Sequence, residues 1–230
     1  MHLVFAVEEK AGKRSVSVEL RGAVICGYTA RDQDAVRKHI AELEKQGIAP
    51  PPSIPMFYPK PDWSLCFEGE IHVQGAETSG EVEFVLLIDR GITYVGVGSD
   101  HTDRELEKHS VVKSKQVCPS VLSRTLWDYD EIKDHWDQIE FRSWAIRAGE
   151  KVLYQQCTLA SILRPNDLLS QVRAHVSRDL EGIAIFSGTS ALSTDGFVFA
   201  DRFGAELSDP VLGRKIRVEY GIHTLEWFAA

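Results

Sequence analysis

The sequence has no excess of positive charge: over 230 residues its formal net charge is -8. A protein that grips nucleic acid through its phosphates needs clustered Lys and Arg, so nucleic acid is not an expected partner. Cysteine is scarce, and Cys26, Cys66, Cys118 and Cys157 form no CxxC pair. Such wide spacing suits reduced thiols in a cytoplasmic protein better than a disulfide framework. No apolar run approaches the roughly 20 residues that cross a bilayer. The first ten residues, MHLVFAVEEK, lack a basic start and a long apolar stretch, so neither a signal peptide nor a membrane partner is expected. There is no GxSxG nucleophile elbow, no HExxH and no Walker loop. Gly96-Val97-Gly98 lacks both the third glycine and the long following helix of a dinucleotide loop. Internal repeats and low-complexity tracts are also missing.

What is present suits an ordinary globular chain. Hydrophobic residues make up 43% and charged residues 26%, enough for a sizeable core without metal or disulfide staples. Residues 2–8 and 15–27 read as strands around the turn Lys10-Ala11-Gly12-Lys13. A helix is predicted from Asp32 to Gln46, with Val36, Ile40 and Leu43 as its apolar stripe, Asp32 or Asp34 as its cap and Gly47 after its end. The stretch Ala49 to Pro61 holds six prolines; fixed φ angles and missing N–H groups argue against regular structure there. It reads either as a linker or as a stiff wall, and Met56, Phe57 and Tyr58 favour packing. Further strands are predicted at 65–74, 80–88, 92–98, 137–147, 151–157, 182–187, 196–200 and 214–220, with short helices at 102–108, 128–136 and 165–176. This is an α+β pattern in which β dominates.

The residues that could carry chemistry fall in five segments. In Ser79-Gly80-Glu81-Val82-Glu83-Phe84-Val85-Leu86-Leu87-Ile88, strand alternation puts Glu81 and Glu83 on one face with Val85 and Leu87, and Val82, Phe84, Leu86 and Ile88 on the other. Two adjacent carboxylates at the mouth of a buried strand repel unless one is protonated or a cation lies between them. A hard divalent cation fits, and a solvated strand end is the plain alternative. The strand ending Val95 to Gly98 delivers Asp100, His101, Asp103 and Arg104 to one polar loop, which reads equally as a capped helix start with surface ion pairs. Lys113 and Lys115 could hold an anion or could be surface groups. Ile183 to Phe186 leads to Gly188-Thr189, which could present backbone N–H groups and a hydroxyl, or simply leave a strand. His39 and Glu42, three apart on the predicted helix, are neighbours that could activate water or sit as an exposed pair.

Taken in chain order, these segments resemble the fumarylacetoacetate hydrolase superfamily. Glu81-Val82-Glu83 matches its Glu-x-Glu strand, and Asp100, Arg104 and Glu105 match its Asp-x-x-x-Arg-Asp/Glu motif. Lys113-Ser114 with Pro119 resembles its Lys-Ser…Pro segment, and Gly188-Thr189 its late Gly-Thr. Tyr28, His39, Glu42 and Phe57-Tyr58-Pro59-Lys60-Pro61 look like its upstream Tyr, His-x-x-Glu and Phe-x-Lys-Pro. The chain departs from the pattern where His39 follows Tyr28 by eleven residues and where Lys115 replaces the aromatic after Lys-Ser.

The resemblance implies a mixed β-sheet roll with few short helices, forming one domain over 1–230. Residues 1–61 would supply N-terminal strands, helix and Pro-rich segment, and 62–230 a β-rich metal-binding core. It implies Mg²⁺, or Mn²⁺ or Ca²⁺, held by Glu81, Glu83 and Asp100. His39 with Glu42 would be the water-activating base, and Lys113 or Lys115 would stabilise an oxyanion. Tyr28, Lys60, Arg104, Gly188 and Thr189 would bind or support a small carboxylate substrate. The implied activity is hydrolysis of a carbon–carbon bond in a 2-oxo acid or 1,3-dicarbonyl, acylpyruvate-like compound through an enolate that the metal stabilises. Decarboxylation, tautomerisation or dehydration of a 2-oxo acid is the alternative, and non-catalytic small-molecule binding is the third reading. A cytoplasmic homodimer completes the expectation.

Overall fold

Alternating and continuous apolar runs build two packed sheets. The computed structural model describes residues 1–45, 50–67 and 69–227; the side chains of Ala35, His39, Glu42, Leu43 and Lys45 lie outside the described set. β1 (His2–Glu9) and β2 (Gly12–Glu19) make a hairpin at the predicted turn, and β3 (Gly22–Gly27) follows. α1 (Gln33–Lys45) is capped by Asp32, whose side chain accepts from the Asp34 N–H at 3.0 Å. Then come β4 (Met56–Lys60), β5 (Leu65–Cys66), β6 (Gly69–Val73), β7 (Thr78–Ser79), β8 (Val82–Asp89) and β9 (Ile92–Asp100). β10 (Thr102–Asp103), α2 (Arg104–Glu107), α3 (Val111–Val117), β11 (Ser120–Leu122) and β12 (Thr125–Asp128) fill the middle. α4 (Tyr129–Ile132), β13 (Glu140–Arg147), β14 (Glu150–Thr158), α5 (Pro165–Arg173), β15 (Ile183–Phe186), β16 (Arg202–Asp209) and β17 (Arg214–Thr224) complete the chain.

The larger sheet runs β2-β1-β12-β9-β8-β15-β3-β4, with β11 and β5 attached beside β9, and mixes parallel with antiparallel pairs. A second sheet runs β14-β13-β16-β17-β6. Phe5 and Val18 from one end of the larger sheet share a buried cluster with Ile25 and Tyr58 from the other. The sheet therefore curls around that cluster as a roll. Its outer face packs on the second sheet through Val82, Phe84 and Leu86 against Phe141, Phe203, Leu207 and Val218. The mixed, β-dominated roll expected of the sequence is the observed fold, and all four cysteines are free. No helix among the described residues is long and apolar enough to cross a membrane.

Five readings change; the predicted strand 65–74 is two strands, β5 in the larger sheet and β6 in the second. The predicted strand 15–27 is two strands at opposite ends of the roll, parted at Leu20-Arg21. The Pro-rich stretch does contain a strand, β4, because it is an edge strand pairing only with β3; Pro59 needs no ladder N–H on its outer side. Residues 196–200 are not a strand; β16 begins at Arg202 and places Phe203, Ala205 and Leu207 inward. Helix α3, carrying both candidate lysines, was not predicted, since seven residues give little periodicity.

Candidate metal centre

Glu81 precedes β8 and Asp100 ends β9; the Asp100 N–H donates to the Glu81 carbonyl at 3.2 Å, so the two residues lie opposite each other. Glu83, two residues along β8, shares their face, as strand alternation requires. One carboxylate oxygen from each of Glu81, Glu83 and Asp100 lies within 4.8 Å of the others. The residue opposite Glu83 is Gly98. A Cβ there would lie 2.6 Å from the Val121 carbonyl and 2.7 Å from the Phe186 ring. Gly96 and Gly98 are thus set by close neighbours, Leu126 at 2.9 Å and the Val121 carbonyl at 2.6 Å from a Cβ placed there, and not by a phosphate.

Each carboxylate is held differently. Asp100 accepts from the Lys115 ammonium at 2.6 Å and from the Ser120 hydroxyl at 3.0 Å. Glu81 accepts from Arg104 at 3.0 Å and from Lys115 at 3.4 Å. Arg104 is fixed in turn by Ser79 and Glu107, each at 2.8 Å, and its guanidinium lies 4.3 Å from the Phe197 ring centre. Glu83 accepts from the Gly188 N–H at 2.8 Å, while its other oxygen is buried without a hydrogen-bond partner. Gly188 has φ +83°, and a Cβ there would meet the Thr29 hydroxyl at 2.3 Å; only glycine turns this N–H onto Glu83. Thr189 donates to the Val82 carbonyl at 2.7 Å and accepts from Gln155 at 2.7 Å.

The electrostatics follow from this wiring. Burial would raise the Glu81 carboxyl, but Lys115 and Arg104 outweigh it and hold the pKa at about 2. Burial raises Glu83 well above the usual range, and the charges of Asp100 and Glu81 add to it. Lys115 is raised, because Asp100 and Glu81 overcome the burial that would lower it. The site therefore offers two carboxylates already facing one ammonium and a third whose charged form burial disfavours. A divalent cation fits this donor set: it would complete the orphaned Glu83 oxygen and let that group ionise.

The lysine alternatives separate cleanly. At about 100° per residue, Lys113 and Lys115 leave opposite sides of α3; Lys113 is exposed and Lys115 is buried on the carboxylates. Lys60, expected to contact substrate, is instead fully buried behind Asp100: its ammonium donates to the Cys118 carbonyl at 2.7 Å and to Ser120 at 2.9 Å. Burial lowers its pKa, with Asp100 opposing. Gly188 and Thr189 hold Glu83 and the β8 backbone rather than open space. Tyr28, half-buried at φ 60°, has its phenol raised by burial and by Glu107, with Lys115 opposing. Tyr58 is buried nearby, 6.0 Å from the Lys115 ammonium, and raised to about 12, mainly by burial. The backbone of His39 and Glu42 belongs to α1, but their side chains lie outside the described set. Sequence reasoning missed Ser120, Glu107, Tyr58 and Gln155. Ser120 and Gln155 carry no local signal, because each comes from another element; Glu107 lies three residues after Arg104 on α2, and Tyr58 sits inside the Phe-x-Lys-Pro-like stretch.

The fold matches solved structures of the fumarylacetoacetate hydrolase superfamily. A fumarylacetoacetate hydrolase family protein from Yersinia pestis CO92 superposes with TM-score 0.64 at 18% identity, over 94% of this chain and 100% of that one. 2-Keto-3-deoxy-D-arabinonate dehydratase complexed with magnesium and 2,5-dioxopentanoate gives 0.63 at 15% identity, over 94% and 78%. 2-Hydroxyhepta-2,4-diene-1,7-dioate isomerase from Mycobacterium marinum gives 0.62 at 12% identity, over 98% and 99%. No curated protein matches the sequence. Residues 26–220 match the family described as protein of unknown function (DUF2848), and the chain belongs to that family.

Proposed function

We propose that this protein is a metal-dependent enzyme acting on a small 2-oxo carboxylate. One observation carries the reading: three carboxylates converge within 4.8 Å, one has a buried orphan oxygen, and a buried ammonium lies against the other two. A divalent cation held by Glu81, Glu83 and Asp100 would supply Lewis-acid polarisation of a 2-oxo carboxylate. Lys115 presents a charged N–H donor to an oxyanion developing beside it. Arg104, clamped by Ser79 and Glu107, keeps Glu81 aimed at the site. Gly188 does the same for Glu83. Tyr28 and Tyr58 stay protonated at neutral pH and can donate to substrate oxygens.

Within this class we favour hydrolysis of a carbon–carbon bond in an acylpyruvate-like compound, with His39 and Glu42 of α1 as the water-activating pair. Dehydration or isomerisation is the second reading, supported by structural neighbours that are a dehydratase and an isomerase. The test is product analysis with acylpyruvates, oxaloacetate and 2-keto-3-deoxy sugar acids, with Mg²⁺ or Mn²⁺ and with chelator. Glu83→Gln should abolish metal-dependent turnover while the fold persists, because it removes an anionic ligand and relieves the carboxylate that burial disfavours. A Glu83→Gln protein whose melting temperature still responds to Mn²⁺ as wild type does would overturn the metal reading. Hydrolysis requires loss of turnover in His39→Ala; turnover surviving that change points to dehydration or isomerisation.

A further inference from the structure

Behind the carboxylates, a buried polar chain ties the metal-site strand pair to the second sheet. The Glu81 N–H donates to Ser99 Oγ at 3.2 Å; Ser99 Oγ lies 2.8 Å from Tyr220 Oη; Tyr220 Oη lies 3.0 Å from His101 Nδ1; and His101 Nε2 lies 2.9 Å from Thr78 Oγ1. Ser99, His101, Thr78 and Tyr220 are each at most 1% exposed. Ser99 and His101 flank Asp100 in sequence, and Tyr220 comes from β17 of the other sheet. The chain can be polarised in either direction: Ser99 to Tyr220 to His101 Nδ1 with the imidazole proton on Nε2 toward Thr78, or Thr78 to Nε2 with Nδ1–H donating to Tyr220 and Tyr220 to Ser99. In both directions His101 is neutral, Ser99 Oγ takes the Glu81 N–H, and the four side chains stay linked.

We propose that Tyr220 and His101 are positioning residues for the metal ligands. Through Ser99 they lock the backbone of Glu81 and Asp100 against the second sheet, so that both carboxylates project at the spacing a divalent cation needs. The inference rests on the metal reading and goes beyond it, since none of these four side chains touches the cluster. Oxygen ligands of a hard cation gain affinity from being held in place by outer hydrogen bonds, and loss of such a partner costs roughly 10–100-fold. A residue serving only core packing would lower stability without changing the affinity of the folded protein.

The experiment is calorimetric titration of Mn²⁺ and Mg²⁺ into wild type, Tyr220→Phe, Ser99→Ala and Tyr94→Phe at a temperature where each is folded. Tyr94 is an equally buried tyrosine whose hydroxyl bonds to Arg14 at 3.1 Å, so Tyr94→Phe controls for loss of a buried phenol. Tyr220→Phe and Ser99→Ala should weaken Kd about 10–100-fold, and Tyr94→Phe should match wild type. If Tyr220→Phe does not fold, Ser99→Ala alone decides, since it removes the link to Glu81 with a smaller change of volume. Wild-type Kd in the folded Tyr220 and Ser99 variants, beside a wild type that binds metal, overturns this inference alone. A wild type that binds neither ion overturns the metal reading and this inference with it.

Discussion

At the scale of the residue, Lys115 decides what kind of site this is. Its ammonium faces Asp100 and Glu81, and in that position it does the electrostatic work of a cation. A purely structural ion cluster would need nothing more, yet Glu83 remains with a buried, unpartnered oxygen. Lys115→Met separates the two possibilities. Removing one partner of a buried pair leaves its charge uncompensated, at a cost of about 3–5 kcal/mol, so the metal-free variant should melt well below wild type. If the carboxylates form a metal site, Mn²⁺ should restore much of that loss, with a larger thermal shift than in wild type, because the ion neutralises what the ammonium did. Turnover should nevertheless fall by roughly 10²–10³, as when one oxyanion donor is removed. Thermal unfolding with Mn²⁺ and with chelator reads the first effect. A destabilised variant that Mn²⁺ cannot raise would mark the cluster as structural.

At the scale of the element, the site is built on the β8–β9 ladder, with β11 paired along the end of β9, and Gly98 on β9 has no room for a side chain. Gly98→Ala tests that fit. The added methyl would press on the Val121 carbonyl, which is backbone and cannot step aside, and on Phe186 and Val85. Overpacking of this kind costs about 1–3 kcal/mol. Relief by displacement of β8 would also move Glu83, so the thermal response to Mn²⁺ should shrink along with stability. A variant that melts and binds Mn²⁺ as wild type does would show that the space around Gly98 accommodates a methyl group and that Glu83 does not depend on it. The same elements show what a sequence can and cannot say. The face shared by Glu81 and Glu83 was legible because a strand has period two, and both faces beyond Glu83 are indeed buried. The lysine was not: Lys113 and Lys115 are separable only once α3 exists, and seven residues carry too little periodicity to predict it. β4 was hidden by prolines that an edge strand tolerates.

At the scale of the molecule, the β-dominated roll was legible from many short apolar strands, but the pairing of its two sheets was not. That pairing brings Tyr220 from β17 to His101 after β9, a contact 119 residues apart in sequence. Two buried groups beside this seam, His101 and Glu83, also pull the molecule's stability in opposite directions as pH changes. Burial, assisted by Arg104 and Lys60 and opposed by Glu81, lowers His101 from an ordinary 6.5 to about 3. The unfolded chain therefore takes up the imidazole proton first as pH falls, and this group withdraws stability from about pH 6.5 down to about 3. Glu83 does the reverse without metal: its folded pKa lies well above 4.5, so the unfolded chain loses that proton first and stability is lost as pH rises above about 4.5. Above about pH 4.5 the two slopes oppose each other in the metal-free wild type. Glu83→Gln deletes one of them and should expose the other. Its unfolding free energy should then fall by about 2 kcal/mol between pH 6.5 and 5, because 1.5 pH units at 1.36 kcal/mol each separate those values on the His101 limb. Denaturant unfolding in chelator across that range, for wild type and Glu83→Gln, measures the difference. If the two proteins share one pH profile, Glu83 is ionised in the folded state and the orphaned oxygen of the candidate centre is already satisfied.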